Sequence, residues 1–338
     1  MRTFLIDLLT CPDCAADTPL EPDGFDPETD AEVETGFLRC TACGSTTEIR
    51  NGIPRFVQPN EDYCENFGFQ WNEWRTLQVD RLSGHNLSTD RFFCDSGWSP
   101  DWLKGKLILD AGCGAGRFAD VAAQHGATIV AVDLSNAIDA CRETTAVHDG
   151  KVQCVQASLL DLPLKDGVFD GVYCMGVIQH TPDPEGVMRA LPRRLKPAGA
   201  LVYNFYEEGL WRRLQVIKYL LRLFTPHLSN AANMVLSRIL VTLLFPLTRF
   251  LARIPKVRIL NHFIPIASVH DPQLSVRDQQ SWTLLDTFDW YGARYEKRQH
   301  HDQVAALLRD AGLERVHSRD GLAWGAAPPP DAASSNVD

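Results

Sequence analysis

Short apolar runs alternate with amphipathic stretches over residues 107–205. Apolar runs of four to eight residues predict buried strands, whereas apolar residues spaced three and four apart predict helices. Parallel strands need a crossover connection between them, so the alternation predicts βαβ units around a parallel sheet. Strands are expected at Leu107–Asp110, Thr128–Asp133, Val152–Gln156, Phe169–Cys174 and Ala200–Phe205, and helices at Arg117–His125, Asn136–Val147 and Pro184–Leu195.

The pattern near the end of the chain predicts one more helix and two short strands. The helix covers Asp302–Ala311, and Gly312 follows it as a C-cap. The strands are expected at Glu314–His317 and Leu322–Gly325. The tail, 328–338, is rich in Pro, Ala, Ser and Asn, a composition typical of a segment without fixed structure.

Residues 209–270 form an apolar and basic insertion after the fifth predicted strand. Apolar residues recur at helical spacing between Leu214 and Phe224, and a second, more apolar helix is expected from Ala231 to Phe245. Because Pro246 should end that helix, we expect no segment long enough to span a bilayer. The basic residues that fall among the apolar ones of the first helix are Arg212, Arg213, Lys218 and Arg222.

The insertion has three interpretations. Its helices can cover a hydrophobic substrate or lie on an anionic membrane surface. Equally, they can pack as a lid with their charges in water. Nucleic acid is the third alternative, since 209–270 holds nine Lys and Arg residues and no acidic one, but few aromatics are present to stack on bases.

Composition and charge narrow the class of protein. The 338 residues are 45% hydrophobic and 22% charged, which is ordinary for a globular chain of about two domains. The net charge of -10 argues against uniform nucleic-acid binding, although it conceals an acidic block at 1–60 and the basic insertion. The spacing of the 10 cysteines favours a reducing compartment, so we expect a cytoplasmic protein, with peripheral membrane contact through 209–270 as one alternative.

Two Cys-x-x-Cys pairs near the N-terminus predict a structural zinc site formed by Cys11, Cys14, Cys40 and Cys43. Four thiolates complete a tetrahedral zinc shell and leave no open position for a reacting water. A redox dithiol or plain buried thiols are the alternative. The arrangement resembles the zinc-ribbon family that, as a separate protein, activates tRNA and release-factor methyltransferases. We expect this acidic ribbon to dock on the rest of the chain.

A glycine-rich turn, Gly112-x-Gly114-x-Gly116, follows the first predicted strand and opens a helix. Asp133 ends the next strand, where a carboxylate can accept both hydroxyls of a ribose. A dinucleotide and S-adenosylmethionine are both candidate ligands. The G-x-G-x-G spacing and the preceding Asp110 favour the cationic sulfonium cofactor, because a carboxylate would repel a pyrophosphate.

These motifs resemble the class I S-adenosylmethionine-dependent methyltransferases, in particular a type 11-like domain fused to a zinc ribbon. The resemblance implies a Rossmann-like α/β fold with a seven-stranded sheet. It also implies that Gln70 and Trp71, within an aromatic segment typical of a bacterial subgroup, cap the cofactor, although packing between ribbon and catalytic domain is an equal alternative. The cofactor-binding residues expected from the resemblance and the turn are Asp110, Gly112, Gly114, Gly116, Asp133, Leu134, Ser158, Leu159, Gly176, Gln70 and Trp71.

Four residues are the candidates for the substrate side. His180 follows the fourth strand and is the expected general base, with a packing role as its alternative. Tyr206 should face the cleft, because alternation directs its neighbours to the other side of the strand. Tyr291 and Arg294 belong to a segment that resembles an acceptor pocket, where Arg294 can bind an anionic group.

The predicted function is methyl transfer from S-adenosylmethionine to the oxygen or nitrogen of a small-molecule, lipid-linked or sugar-linked acceptor. An RNA methyltransferase and a non-catalytic adaptor are the alternatives, and the acceptor atom and oligomeric state stay open. The predicted units are a zinc ribbon at 1–60, an aromatic capping segment at 61–104, the core at 105–208, the insertion at 209–270, an acceptor-pocket and C-terminal core segment at 271–327 and the tail at 328–338.

Overall fold

The computed structural model describes residues 1–14, 18–26, 32–57, 63–209 and 214–330. Its framework is one mixed sheet of 11 strands in the order β1-β2-β3-β4-β7-β6-β5-β8-β9-β11-β10. The strands are β1 Leu20–Asp23, β2 Thr35–Cys40, β3 Thr46–Arg50, β4 Ile53–Phe56, β5 Leu107–Ala111, β6 Thr128–Asp133, β7 Val152–Ala157, β8 Phe169–Cys174, β9 Leu195–Asn204, β10 Glu314–Arg319 and β11 Leu322–Ala326.

The centre of the sheet confirms the predicted parallel arrangement. Strands β7, β6, β5, β8 and β9 are mutually parallel, and β11 and β10 continue the sheet in antiparallel pairing. These seven strands are the ones that the apolar pattern predicts. The last parallel strand begins five residues earlier than expected, at Leu195 rather than Ala200.

The predicted count of seven strands was wrong for the sheet as a whole, because four N-terminal strands extend its edge. Strand β4 pairs in parallel with β7, with Arg55 opposite Gln156 and Phe56 opposite Ala157. The N-terminal segment also shares a hydrophobic core with the central strands, in which Leu5 and Leu38 belong to the same buried cluster as Val130. The expected docking of the ribbon therefore takes the form of a continuous sheet, and the predicted domain boundaries stay predictions.

Eleven α-helices surround the sheet in the described residues. Helix α7 stops at Ala190 instead of Leu195, because Pro192 cannot continue it. The helices are α1 Glu65–Glu73, α2 Asp80–Ser83, α3 Leu87–Ser96, α4 Pro100–Leu103, α5 Arg117–Gln124, α6 Ala137–Thr145, α7 Pro184–Ala190, α8 Val216–Leu221, α9 Asn230–Ala252, α10 Val276–Gly292 and α11 His301–Asp310.

Five of these helices were not predicted, namely α1 to α4 and α10. Helix α10 is covered on more than one side, because Thr283 and Tyr291 are buried as well as Trp282 and Leu285, so its sequence has no single apolar stripe. Capping residues are the signal that identifies two of the five. The Ser275 hydroxyl accepts a hydrogen bond from the backbone N–H of Asp278, and Ser99 caps α4 in front of Pro100.

The expected end of the second insertion helix at Pro246 was wrong. Helix α9 continues through Pro246 to Ala252, since a proline removes only one intrahelical hydrogen bond. The resulting 23-residue helix has a mean hydropathy of 1.7 over its most apolar stretch, of which 28% is buried. By length and composition alone, α9 is thus long and apolar enough to cross a membrane, which corrects the expectation that no segment reaches that length.

The orientation of the first insertion helix also differs from the expectation. Lys218 and Arg222 were expected to face solvent or a membrane, with the apolar side chains covered. Instead Lys218 is buried against Glu296, and Arg222 donates hydrogen bonds to the carbonyl oxygens of Trp290 and Ala293. The apolar residues of this helix, such as Ile217, lie on the outside. Arg212 and Arg213 lie outside the described residues, as does the part of the predicted tail from residue 331.

Candidate active site

A cavity of about 300 Å³ opens at the carboxyl ends of the parallel strands. Ligands of open α/β sheets bind at this edge, because the loops that follow the strands converge there. The wall combines the loops after β5, β6 and β8 with helices α1 and α10. The predicted residues that line it are Gln70, Trp71, Gly112, Gly114, Asp133, Leu134, Leu159, Gly176, His180 and Tyr206.

The glycine-rich turn has the backbone conformation that glycine permits. Gly112 and Gly114 have positive φ angles of 89° and 54°. A Cβ atom on Gly112 would lie 2.4 Å from a methyl carbon of Val177, and one on Gly114 would lie 3.1 Å from the indole nitrogen of Trp71. The turn is thus closely covered, and a side chain at Gly112 would displace its neighbour.

Gly116 has a packing role and does not line the cavity. It precedes the first residue of α5 with a φ of 81°, and an added Cβ atom would lie 2.7 Å from the sulfur of Cys141. The absence of a side chain at Gly116 therefore permits close contact between α5 and α6. The expectation that Gly116 contacts the cofactor is not supported by this position.

Asp133 reaches the cavity from the end of β6. Its carboxylate accepts hydrogen bonds from the Gly114 backbone N–H at 2.9 Å, and from the Ser135 backbone N–H at 2.9 Å and hydroxyl at 2.7 Å. Burial raises the pKa of Asp133, and the bonds from Ser135 and Gly114 oppose that rise. The carboxylate is therefore held in one orientation beside the turn, with the cavity in front of it.

Asp110 lies behind the turn and is absent from the cavity wall. It is 2% exposed, and burial raises its pKa to about 8, while the Tyr173 hydroxyl opposes the rise and the charge of Asp133 adds to it. Asp110 is therefore not positioned to contact a ligand in the cavity directly. A carboxylate there can act on a cationic ligand only through the field it creates.

Leu159, and not Ser158, lines the cavity after β7. The Ser158 hydroxyl accepts a hydrogen bond from the Leu160 backbone N–H at 3.3 Å, so the side chain is directed into its own turn. Of these two expected cofactor-binding residues, the backbone of Leu159 is therefore better placed than the Ser158 hydroxyl to contact a ligand. Leu134, after β6, contributes an apolar wall nearby.

Helix α1 closes one side of the cavity. Gln70 is 1% exposed, and its side-chain oxygen has no hydrogen-bond partner among the described residues. Trp71 covers Gly114. A buried polar atom without a partner is costly, so the Gln70 oxygen is a site where a ligand N–H or O–H would be stabilised.

The His180 imidazole is held with one nitrogen bonded to the protein. Its Nδ1 lies 2.9 Å from the backbone carbonyl oxygen of Tyr295. Because a carbonyl only accepts hydrogen bonds, Nδ1 carries the proton, and the neutral ring keeps Nε2 as an acceptor. The ring packs between Phe67 and Tyr206, with centroid distances of 5.1 and 5.5 Å. His180 thus has the tautomer that a general base requires.

Of the other substrate-side candidates, only Tyr206 lines the cavity. Tyr291 is fully buried, and its hydroxyl donates a hydrogen bond to the carbonyl oxygen of Pro265 at 2.7 Å. Arg294 is exposed and stacks against the ring of Tyr295. Contrary to the expectation, neither Tyr291 nor Arg294 lines the cavity, because α10 directs Tyr291 towards Pro265 and Arg294 lies beyond the end of that helix.

Helix α10 instead contributes two carboxylates that sequence reasoning missed. Asp286 and Asp289 line the cavity, and burial raises the pKa of both, that of Asp286 to about 7. The charge of Asp289 adds to the rise in the pKa of Asp286, and Arg117 opposes it; for Asp289, the charge of Glu296 adds to the rise. The cavity therefore has an acidic side on α10, where a cation or a hydroxyl donor would be favoured.

The four predicted zinc ligands converge at the N-terminus. Each Sγ lies within 4.8 Å of the others, with 3.7 Å between Cys11 and Cys43 and 3.5 Å between Cys14 and Cys40. Sulfur atoms around a tetrahedral zinc ion lie about 3.8 Å apart when each bond is about 2.3 Å long. The four thiols therefore have the spacing of a zinc site.

The central part of the chain, which contributes much of this site, is similar to known methyltransferase domains. Residues 109–203 match the methyltransferase domain family. The chain is 31% identical over 136 residues to the ubiquinone biosynthesis O-methyltransferase of Paracidovorax citrulli, covering 39% of this chain and 56% of that protein. It is 33% identical over 105 residues to the protein of the same name from Pseudomonas fluorescens, covering 30% and 45%. The chain thus spans about half the length of the curated relatives it matches.

Solved structures give more distant likenesses. An O-methyltransferase family protein from Burkholderia thailandensis has a TM-score of 0.44 and 16% identity, covering 73% of this chain and 58% of that one. The complex of the Haloferax volcanii Trm112 methyltransferase activator with a putative methyltransferase has a TM-score of 0.45 and 15% identity, covering 78% and 98%. The domain match shows that residues 109–203, in the centre of the chain, are similar to methyltransferase domains.

Proposed function

We propose that this protein transfers a methyl group from S-adenosylmethionine to a hydroxyl oxygen of a small-molecule, lipid-linked or sugar-linked acceptor. The observation that carries the proposal is the position of His180 in the cavity formed by the glycine-rich turn, with Nδ1 bonded to the Tyr295 carbonyl. The name that the curated relatives share, an O-methyltransferase, favours oxygen over nitrogen as the acceptor atom.

The residues of the cavity fit the cofactor. Asp133 offers carboxylate oxygens to the two ribose hydroxyls, and the backbone of Leu159 offers polar groups to the adenine. The unpartnered oxygen of Gln70 and the Asp289 carboxylate, one oxygen of which also lacks a partner among the described residues, suit the ammonium group of the methionine portion. When bound, S-adenosylmethionine supplies an electrophilic methyl group on a sulfonium.

His180 and its neighbours prepare the acceptor. The Nε2 atom accepts the acceptor hydroxyl proton, while the Tyr295 carbonyl holds the ring in place through Nδ1. Asp289 lies close enough for a protonated His180 to lower the pKa of its carboxyl group, so it stabilises the imidazolium in return. Phe67 and Tyr206 exclude water from the ring faces.

We further propose that the four thiols bind a structural Zn²⁺. The spacing of the sulfurs supports this assignment, and four thiolates leave no position for substrate. The metal then fixes the N-terminal loops whose strands extend the sheet edge beside β7. This arrangement gives zinc a role in stability and none in the transfer step.

A transfer assay with a labelled methyl group tests the proposal. The purified protein is incubated with labelled S-adenosylmethionine and separate pools of polar metabolites, membrane lipid extract and RNA. Label in an ether or ester of a metabolite or lipid is expected, and it should be lost in His180→Gln. Label in RNA alone would overturn the acceptor class. Absence of transfer to any pool, together with absence of cofactor binding by calorimetry, would overturn the activity.

A further inference from the structure

The insertion presents an unusually apolar outer surface. Most of the exposed large apolar side chains in the described residues lie between Leu214 and Phe263. We call this surface the apolar face. Its members with more than half of their surface exposed include Leu223, Phe224, Val235, Leu243, Phe250 and Ile259. Single exposed apolar residues are common, but so many within one segment of the chain indicate a binding surface.

Helix α9 is apolar on its outer side as well as on its buried side. Its buried side carries Met234, Val241 and Phe245 together with Asn233, Ser237 and Thr248. Its outer side carries Leu243, 70% exposed, and Phe250, 59% exposed. A surface helix in water directs its apolar stripe to the core. The arrangement of α9 therefore suits an apolar environment outside the protein.

Contacts along α9 favour an orientation in the plane of a bilayer over a span across it. Near its start, the Asn233 side-chain amide donates to the Phe288 carbonyl oxygen at 3.4 Å. In its middle, Val241 and Phe245 pack in one cluster with Leu284 of α10. Because α9 is attached to α10 at both points, a span would draw α10 and its cavity residues into the bilayer.

The charge of the insertion indicates whether the apolar face binds a lipid bilayer or a second copy of the chain. Residues 209–270 carry nine Lys and Arg residues and no Asp or Glu. Arg253, Lys256 and Arg258 are exposed directly after α9, beside the apolar side chains. A second copy of the chain would place like charges opposite each other, whereas anionic headgroups would pair with them.

We propose that the apolar face docks on the surface of an anionic lipid bilayer, with α8 and α9 in the interface and the basic residues after α9 against lipid headgroups. This docking goes beyond methyl transfer and does not depend on it. It also relates the membrane to the cavity, because Trp290 lines both the cavity and a second, open basin beside the insertion. An acceptor dissolved in the bilayer would thus reach the protein on the side where the cavity wall is formed.

Vesicle co-sedimentation tests the docking. The full-length protein is mixed with vesicles of phosphatidylcholine alone or of phosphatidylcholine with phosphatidylglycerol. Binding to the anionic vesicles is expected, and it should weaken as salt is raised. Arg253→Gln and Lys256→Gln should each reduce the partition coefficient by about fivefold, because each removes one positive charge. Leu243→Glu with Phe250→Glu should reduce it by about tenfold or more.

Val147→Glu is the matched control, since Val147 is 60% exposed and lies outside the insertion. It should bind vesicles like the wild type, and circular dichroism should show that all variants remain folded. Equal binding by Leu243→Glu with Phe250→Glu and by the wild type would overturn the proposal. So would a folded wild type that binds no vesicle. A wild-type dimer that the same variant converts to a monomer, without vesicle binding, would assign the apolar face to a second copy.

Discussion

The Nζ atom of Lys218 lies 3.0 Å from a carboxylate oxygen of Glu296, and each side chain is only 5% exposed. Burial lowers the pKa of Lys218, and the charge of Glu296 opposes that shift. The ammonium group also lies 4.3 Å from the centre of the Trp290 ring. This pair attaches the short helix α8 to the segment that follows α10, and so attaches the insertion to the cavity wall.

Glu296→Gln should therefore destabilise the protein by about 3–5 kcal/mol, because it leaves the buried Lys218 without its countercharge. Chemical denaturation measures the change in the free energy of unfolding. The double variant Lys218→Met with Glu296→Gln should recover part of the loss, since the buried ammonium group is removed together with its partner. A single variant as stable as the wild type would show that the pair is hydrated and not buried.

Lys218 also shows that the sequence predicted a helix here but not which side of that helix is buried. The helical spacing of apolar residues around it was correct evidence for a helix, but the helix is oriented with its charged side inward. Periodicity assigns residues to one side or the other of a helix, and only a partner decides which side is buried. That partner, Glu296, is 78 positions away along the chain and has no local signal.

The candidate site likewise has one part that could be predicted from local sequence and one part that could not. The residues on the loops after β5 and β6 were predictable, because the backbone conformation of Gly112 and the carboxylate of Asp133 follow from local sequence. The wall formed by α10 was not predictable in detail. Tyr291 and Asp289 are two positions apart on one helix, and the helix rotation sends the first to Pro265 and the second to the cavity.

His180→Gln should lower kcat by about 10²- to 10⁴-fold while leaving the dissociation constant of S-adenosylmethionine unchanged, because it removes the proton acceptor and not a cofactor contact. Steady-state kinetics and calorimetry separate the two quantities. His125→Gln is a matched control, since the Nδ1 of His125 also bonds to a backbone carbonyl, that of Val121 at 2.8 Å, but outside the cavity. An equal loss in both variants would argue against a role of His180 in proton transfer.

Asp133→Asn should weaken binding of S-adenosylmethionine by about tenfold or more, because one neutral amide cannot accept two ribose hydroxyls as a carboxylate does. The loss should appear in the dissociation constant measured by calorimetry. Asp310→Asn changes an exposed carboxylate at the end of α11 in the same way and should bind normally. Unchanged affinity in Asp133→Asn would contradict the ribose assignment.

Cys40→Ser should abolish binding of one zinc ion per chain and lower the midpoint of thermal unfolding. Structural zinc contributes on the order of 10 kcal/mol to the folding of small zinc domains. Here the loss should spread beyond the N-terminus, since Cys40 lies in the same buried cluster as Val130. Elemental analysis and differential scanning calorimetry measure the two effects. Cys94→Ser, at an exposed thiol, should retain both the metal and the stability.

The half-buried carboxylate of Asp286 should make the stability of the protein depend on pH. Burial and the nearby Asp289 raise its pKa from 3.8 to about 7, against the opposing effect of Arg117. A raised carboxyl pKa means that the folded state binds the proton more tightly than the unfolded state does. The wild type therefore gains stability from this proton at low pH, and loses that gain as pH rises from about 4 through about 7.

Asp286→Asn removes the titration, so its stability relative to the wild type should rise across the same interval and level off above about pH 8. The expected gain at that plateau is on the order of 1–3 kcal/mol, smaller than the full pKa shift would give because Asp286 is only half-buried and solvent screens its charge. Urea denaturation at a series of pH values measures the difference. The exposed Asp310→Asn should show no comparable rise. A difference between Asp286→Asn and the wild type that stays flat from pH 4 to 8 would mean that water reaches Asp286 freely, and that the cavity side of α10 is open in solution.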